Sequence, residues 1–407
     1  MLHTGAGRSR WRTNRRPAAA SAAAFALAVL ATTQAGAQER VTVAEALSFL
    51  VTTQAIDTGD AARDRAAAEA TSRALSKALL SALATLPLTS SSSAFTYRFN
   101  PELGTLERAS ESFGPFFVER ATTAGAGRAS VSVNWQYANF SKLDGMALHE
   151  GTLVTTANTF RDESEPFDVE TLELRIKTHS LTVAGAVGVT DRLDLSVALP
   201  IVSLTLEGSR VDLYRGTRFQ QAGATASVTR LADVLLRGKY NLARGPWGGV
   251  SVGGDLRLPT GSEDDLVGAG RRGTRAFVVV SGGTSTVSTH FTGGLSRGGV
   301  ADGLDFGTAL SVNPAPRLTI AGELFGRRLA LGRLRQVVGP HPAIPGVDTL
   351  RLVEADEHTT HTLGAVGLKW NLSDAWLLSA TMLVPLNQAG LTARVMPSAS
   401  LEYNFGR

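Results

Sequence analysis

From residue 127 almost to the last residue, apolar and polar side chains alternate with a period of two. In ASVSVNWQYANF, Val131, Val133, Trp135 and Tyr137 share one side, while Ser130, Ser132, Asn134 and Gln136 share the other. Successive side chains of a strand point to opposite faces, so this is the signature of a half-apolar strand. The alternation recurs at Leu172/Leu174/Ile176, Leu193/Leu195/Val197/Leu199, Val234/Leu236/Tyr240/Leu242, Val250/Val252/Leu256/Leu258, Ala276/Val278/Val280 and Val287/Phe291/Leu295. It continues through Leu304/Phe306/Leu310/Val312, Leu318/Ile320/Leu324, Val366/Leu368/Trp370, Trp376/Leu378/Met382/Val384 and Leu391/Val395/Leu401/Tyr403/Phe405, which predicts twelve strands. Before residue 124 the period is different. Leu75, Leu79, Leu83 and Leu86, with Ala78 and Ala82 beside them, make a helical stripe that Asp57 or Asp60 caps and Pro87 with serines 90–93 stops; a shorter helix is predicted around 43–52.

The connections decide which kind of all-β protein this is. Short links (190–192, 243–247, 282–284, 314–316, 373–374) follow the even-numbered strands, and longer polar links (141–169, 207–225, 260–274, 296–303, 328–357) follow the odd-numbered ones. The link 387–390 is short on the long side. An even strand count with turns at one end and loops at the other predicts an antiparallel outer-membrane β-barrel, whose closure leaves no unpaired backbone in lipid. Residues 276–296 carry no Asp, Glu, Lys or Arg yet are rich in Gly, Ser and Thr, which suits two strands with one wet face.

If the apolar set faces lipid, the alternate set faces the lumen. That set comprises Glu173, Arg175, Lys177, Asp194, Asp233, Arg237, Lys239, Asp255, Arg257, Asp305, Glu323, Arg327, Lys369, Arg394 and Glu402, eight basic and seven acidic residues. Near-balance predicts cross-lumen pairs and weak charge selectivity. In the second strand the apolar phase slips between Ile176 and Leu181, which predicts a bulge.

Composition narrows the function classes. The absence of cysteine excludes disulfide scaffolds, zinc-cysteine sites and thiol catalysis. The formal charge of +4 sits at the front: residues 1–37 hold Arg8, Arg10, Arg12, Arg15 and Arg16 and no acid. Without them 35 basic residues face 36 acidic ones, a net of −1, and a nucleic-acid partner loses its support. Those arginines, the apolar stretch 18–31 and the exit Ala35-Gly36-Ala37 predict a secretory signal peptide cleaved after Ala37. The expected organisation is therefore a signal peptide (1–37), a helical segment (38–123) and a transmembrane barrel (124–407). The helical segment is either a plug inside the lumen or an arm in the periplasm, and it is expected to start at the short-turn end.

Three stretches, SFGPFFVERATTAGAGRASVSVNWQYANFSKLDG (112–145), GVTDRLDLSVALP (188–200) and ADVLLRGKYNL with LRLPTGSEDDLVGAG (232–242, 256–270), resemble the outer-membrane transporter family of the phenol-degradation meta-pathway. That family is related in architecture to the long-chain fatty-acid transporters. The resemblance implies a monomeric barrel passing hydrophobic or aromatic small molecules, with no catalytic residues to carry over. The expected partners are outer-membrane lipid, small solutes and the barrel-assembly machinery. Leu401, Tyr403 and Phe405 alternate as that machinery's recognition strand requires, although Gly406 and Arg407 follow.

Other motifs read as decoys. Gly268-Ala269-Gly270-Arg271-Arg272-Gly273 has dinucleotide-loop spacing but leads into a strand instead of a helix. Residues 249–253 and 294–298 match the serine-hydrolase elbow without its strand-to-helix turn. His358 and His361, three apart in a strand, point to opposite faces; Glu263-Asp264-Asp265 reads as a hydrated loop tip; Ser288 and His290 share a face without a third orienting residue. No catalytic residue, metal site or cofactor is expected. Passive passage of small molecules is the predicted function, with a barrel-embedded hydrolase or an adhesin as alternatives.

Overall fold

The computed structural model describes residues 41–52, 61–91, 97–100, 105–108, 112–245, 248–355, 358–373 and 375–405. The predicted signal peptide, the caps Asp57 and Asp60, and Gly406 and Arg407 lie outside them. Twelve wall strands close on themselves: β1 (Ala129–Leu143), β2 (Asp168–Gly188), β3 (Leu193–Tyr214), β4 (Val234–Gly245), β5 (Gly248–Leu258), β6 (Gly273–Gly283), β7 (Val287–Gly298), β8 (Gly303–Ala315), β9 (Leu318–Leu329), β10 (Thr359–Ser373), β11 (Trp376–Pro385) and β12 (Met396–Phe405). Every adjacent pair is antiparallel, and β12 closes on β1 with Leu401 opposite Val133. All twelve fall on the alternating segments of the sequence.

The facing is as the alternation predicts. Val133, Trp135, Val280, Phe291, Leu324, Leu368, Trp370 and Met382 are exposed on the outside, while Asn134, Gln136, Ser251, Ser281, Thr292 and Asn371 are buried inside. A belt of outward apolar side chains around a closed sheet is the surface that a bilayer solvates.

The links differ from expectation in kind. Residues 207–225 are not a loop: β3 runs on to Tyr214, turns through Arg215 and Gly216, both at positive φ, and returns as the strand Thr217–Leu231. Two left-handed residues in a two-residue connection match the twist of the flanking strands. The 328–357 link likewise contains the hairpin Leu334–Pro340 with Val347–Glu354, whose second strand pairs with Val154–Phe160. The 296–303 link is short, because β7 ends at Gly298 and β8 begins at Gly303. The sheet therefore rises beyond the apolar belt at the long-loop end.

That extension corrects the reading of the second strand. Pairing of β2 with β3 runs unbroken from Asp168/Tyr214 to Gly188/Asp194, so there is no bulge. What changes is the chemistry of each face. Near the short-turn end Leu181 and Val187 point outward; higher up Leu172, Leu174 and Ile176 are fully buried inside, and Glu173, Arg175 and Lys177 project outside. Arg175 lies 4.0 Å from Glu207, and Arg218 donates to Glu173 at 2.9 Å on that outer surface. Water surrounds the upper wall, so its outer face is polar and its inner face carries the core.

The core is completed by two helices, α1 (Val43–Thr52) and α2 (Ala61–Leu83). Thr42 and Glu45 form a capping box: the Thr42 amide donates to Glu45 at 2.7 Å and the Glu45 amide to the Thr42 hydroxyl at 3.2 Å. The amide bond from Thr42 holds the exposed Glu45 carboxyl below its ordinary pKa. Leu47 and Leu50 of α1 and Leu75, Leu79 and Leu83 of α2 belong to one buried cluster with Leu172, Leu174, Leu204 and Leu206 of the wall. Gly208 makes this fit possible, since a Cβ there would stand 2.3 Å from Leu50. The Ala44 amide donates to the carbonyl of Asp264 in a long loop, which puts the start of α1 at the long-loop end and not at the short-turn end.

Candidate functional site

Between α2 and β1 the chain crosses the lumen as a strap of extended and bent backbone, residues 112–126. Such a segment has no ladder of its own, so its buried amides and carbonyls need partners from elsewhere. The inward side chains of the wall supply them. Glu323 on β9 accepts the amides of Phe116, Phe117 and Val118, the last two at 2.9 and 2.8 Å. Lys369 on β10 donates to the carbonyls of Phe113 (3.2 Å) and Pro115 (2.6 Å). Lys239 on β4 donates to those of Arg120 (3.1 Å) and Thr122 (2.9 Å). Asn241, Ser251 and Ser281 converge on Ala121, whose carbonyl accepts from the first two and whose amide donates to the third. Asp194 takes the amide of Ala124 at 3.1 Å. At the short-turn end the strap passes so close to β2 that a Cβ on Gly188 would lie 2.0 Å from the Gly125 carbonyl oxygen.

The strap also brings charge. Glu119 pairs with Arg237 and accepts the Ser91 amide at 2.9 Å. Arg237 clasps Asp255 with two parallel bonds of 2.6 and 2.8 Å, and Arg275 reaches Asp255 at 3.3 Å and Asp305 at 3.2 Å. Lys239, 2 % exposed, lies 3.8 Å from Asp194 and 3.9 Å from Glu119. These are desolvated charges held by several partners at once, the arrangement in which losing one partner costs most.

The predicted lumen set thus divides. Asp194, Asp233, Arg237, Lys239, Asp255, Arg257, Asp305, Glu323, Arg327 and Lys369 point inward, and Glu402 is half-buried on the inner face. Glu173, Arg175 and Lys177 point outward, and Arg394 stands exposed in the link between Leu391–Ala393 and β12. Asp233 serves the wall itself, accepting the amides of Gly261 and Ala269 at 3.0 and 2.9 Å and so folding the Leu-Pro-Thr-Gly loop back on β4. Sequence reasoning missed the strap. Its signal is Glu119-Arg120, the one charged pair in an otherwise uncharged stretch of residues 113–127 just before the first strand.

Above the strap lies a cavity of about 280 Å³, bounded by the end of α2, Phe117 of the strap and the inner faces of β4 to β10. Its lining is mixed: Leu86, Phe140, Leu363, Met396 and the stacked rings of Phe117 and Phe325, centroids 5.1 Å apart, are apolar. Arg237, Arg257, Arg275 and Arg327 with Glu119, Asp255 and Asp305 are charged. Arg257 donates to the carbonyl of Ala84 at 2.7 Å and Arg327 to that of Thr85, so two wall guanidiniums cap the C-terminal end of α2.

The remaining motifs resolve structurally. His290, buried beneath the strap, lies 2.8 Å from the Ser281 hydroxyl and 3.2 Å from Ser288, so both ring nitrogens are engaged by hydroxyls. Asp265 pairs with Arg230 at 2.7 Å, and strand β6 follows the 268–273 glycine motif directly. Among the described residues no cluster of His, Asp and Glu has metal-binding geometry.

Reversing the charge at Arg237 is expected to do more than alter ion preference. Arg237→Glu places a carboxylate against Glu119 and Asp255 and should lower the thermal midpoint of the refolded barrel. An unchanged midpoint in heat-modifiable gel migration would show that the pairing does not hold the strap.

No family model matches the chain, and no curated protein matches it in sequence. Solved structures with a similar outline include the COG4313 outer membrane channel from Pseudomonas putida F1, at 12 % identity over 70 % of this chain and 98 % of that one, TM-score 0.42. The KdgM porin in complex with disordered oligogalacturonate aligns at 9 % identity over 68 % and 99 %, TM-score 0.37. The CymD monoaromatic hydrocarbon channel aligns at 8 % identity over 69 % and 90 %, TM-score 0.34.

Proposed function

We propose that the protein is an outer-membrane channel that passes small hydrophobic or aromatic molecules passively, with α1, α2 and the strap as a plug inside the barrel and residues 1–37 as its export signal. The observation that carries this reading is the half-apolar, half-polar cavity between the end of α2 and the strap, enclosed by a barrel with an apolar outer belt. A wall built only for adhesion has no use for an internal cavity of this kind. The plug meets the wall through hydrogen bonds and side-chain packing without joining its ladder, so it can shift without breaking the sheet. The inward charges named above act in this reading as anchors of the plug. The resemblance of residues 112–145, 188–200, 232–242 and 256–270 to the meta-pathway transporters points to the same solute class, and a monomer inserted by the barrel-assembly machinery fits a sheet that closes within one chain.

The test is uptake across an intact lipopolysaccharide layer. Cells expressing the protein should show a faster rise of N-phenyl-1-naphthylamine fluorescence than cells expressing an unrelated closed barrel. Equal rates, with the folded barrel verified in the outer membrane, would overturn the reading.

A further inference from the structure

We propose that the cavity is a binding site for an aromatic monocarboxylate, with the ring against Phe117 and Phe325 and the carboxylate on Arg257 and Arg327. The inference deepens the passage reading and rests on it for its meaning as a solute class. Three observations converge. The rings of Phe117 and Phe325 stack on one another within the cavity lining, their planes 26° apart. A further planar ring gains most against such a pair by offset stacking or edge-to-face contact. Beside the rings, Arg327 follows Phe325 two residues along the same inner face of β9, and it and Arg257 are the two guanidiniums whose hydrogen bonds run to the carbonyls of Thr85 and Ala84; neither forms an ion pair with a carboxylate among the described residues, although Asp305 stands opposite Arg327 in the β8–β9 ladder. Arg237 and Arg275, by contrast, are already matched by Glu119, Asp255 and Asp305.

The inward charges of the lining are four guanidiniums, Arg237, Arg257, Arg275 and Arg327, against three carboxylates, Glu119, Asp255 and Asp305, which leaves a net positive potential for an anion, and carboxylate is the anion a guanidinium's planar fork fits best. A neutral aromatic would meet the phenylalanines but leave that potential unanswered. An aliphatic anion would do the reverse. The two guanidiniums also hold the end of α2, so a bound carboxylate would compete with Ala84 and Thr85 for the same donors and loosen the plug there.

Isothermal titration of the full-length, detergent-solubilised barrel tests this with benzoate, with benzyl alcohol (ring without charge) and with acetate (charge without ring). Benzoate should bind about tenfold more tightly than either control, and Arg257→Gln and Arg327→Gln should each weaken benzoate about tenfold and reduce its margin over benzyl alcohol. The wild-type comparison decides the matter even if a variant fails to fold. Equal binding of benzoate and benzyl alcohol, or no benzoate binding by folded protein, would overturn the site. The dye-uptake result stands apart: uptake without benzoate binding sinks the site and leaves the channel, whereas benzoate binding without uptake does the opposite.

Discussion

Removal of residues 38–126 is expected to raise single-channel conductance in a planar bilayer about tenfold, whereas removal of residues 38–111 alone should leave the current close to that of the full chain. The difference lies in the strap. A twelve-stranded barrel is wide enough for an open lumen once nothing fills it, but residues 112–126 cross that lumen and bond to wall strands on several sides. The helices sit above, in the part of the barrel that stands outside the apolar belt. Losing them empties the vestibule and leaves the crossing closed. Both truncations should keep the heat-modifiable migration of a folded barrel, because the wall's ladder is complete without them. A large current from the 38–111 deletion would move the block from the strap to the helices.

Glu323→Ala is expected to destabilise strap docking by about 3 kcal/mol, since two buried amides and one half-buried amide lose their acceptor at once and each buried orphan costs roughly 1–3 kcal/mol. Glu323 is itself buried, and the amides of Phe116, Phe117 and Val118 have no strand partner to fall back on. The wall survives the change, because an inward side chain contributes nothing to the β8–β9 or β9–β10 ladders. The readout is current noise: brief openings where the parent barrel is quiet, with Glu323→Asp intermediate. A variant as quiet as the parent would show that the remaining strap contacts suffice.

Several features were legible in the residues alone, each for a local reason. The twelve strands follow from alternation, because a strand facing lipid on one side and water on the other must repeat every two residues. The helices at 43–52 and around the Leu75 to Leu83 stripe follow from the 3.6-residue repeat. The inward placement of Arg237, Lys239, Asp255, Arg257, Glu323 and Lys369 follows from the same alternation. Glu173, Arg175 and Lys177 were misplaced for an instructive reason. Alternation reports that two faces differ, and the assignment of the apolar face to the outside holds only while lipid surrounds the strand. Above the belt the outside is water and the inside is a helix, so Leu172, Leu174 and Ile176 turn inward with no break in register.

Sequence by itself therefore determined the local periods: how many strands, which residues share a face, and where helix gives way to sheet. Only the tertiary structure decided what each face meets, because that depends on segments distant along the chain. Glu323 becomes an amide cradle only when a strap some 206 residues away is laid across it. Arg257 and Arg327 become the cap of a helix only when α2 is lowered into the barrel mouth. No period in the wall encodes these pairings, since the strap has no repeat of its own and takes its conformation from the barrel that encloses it.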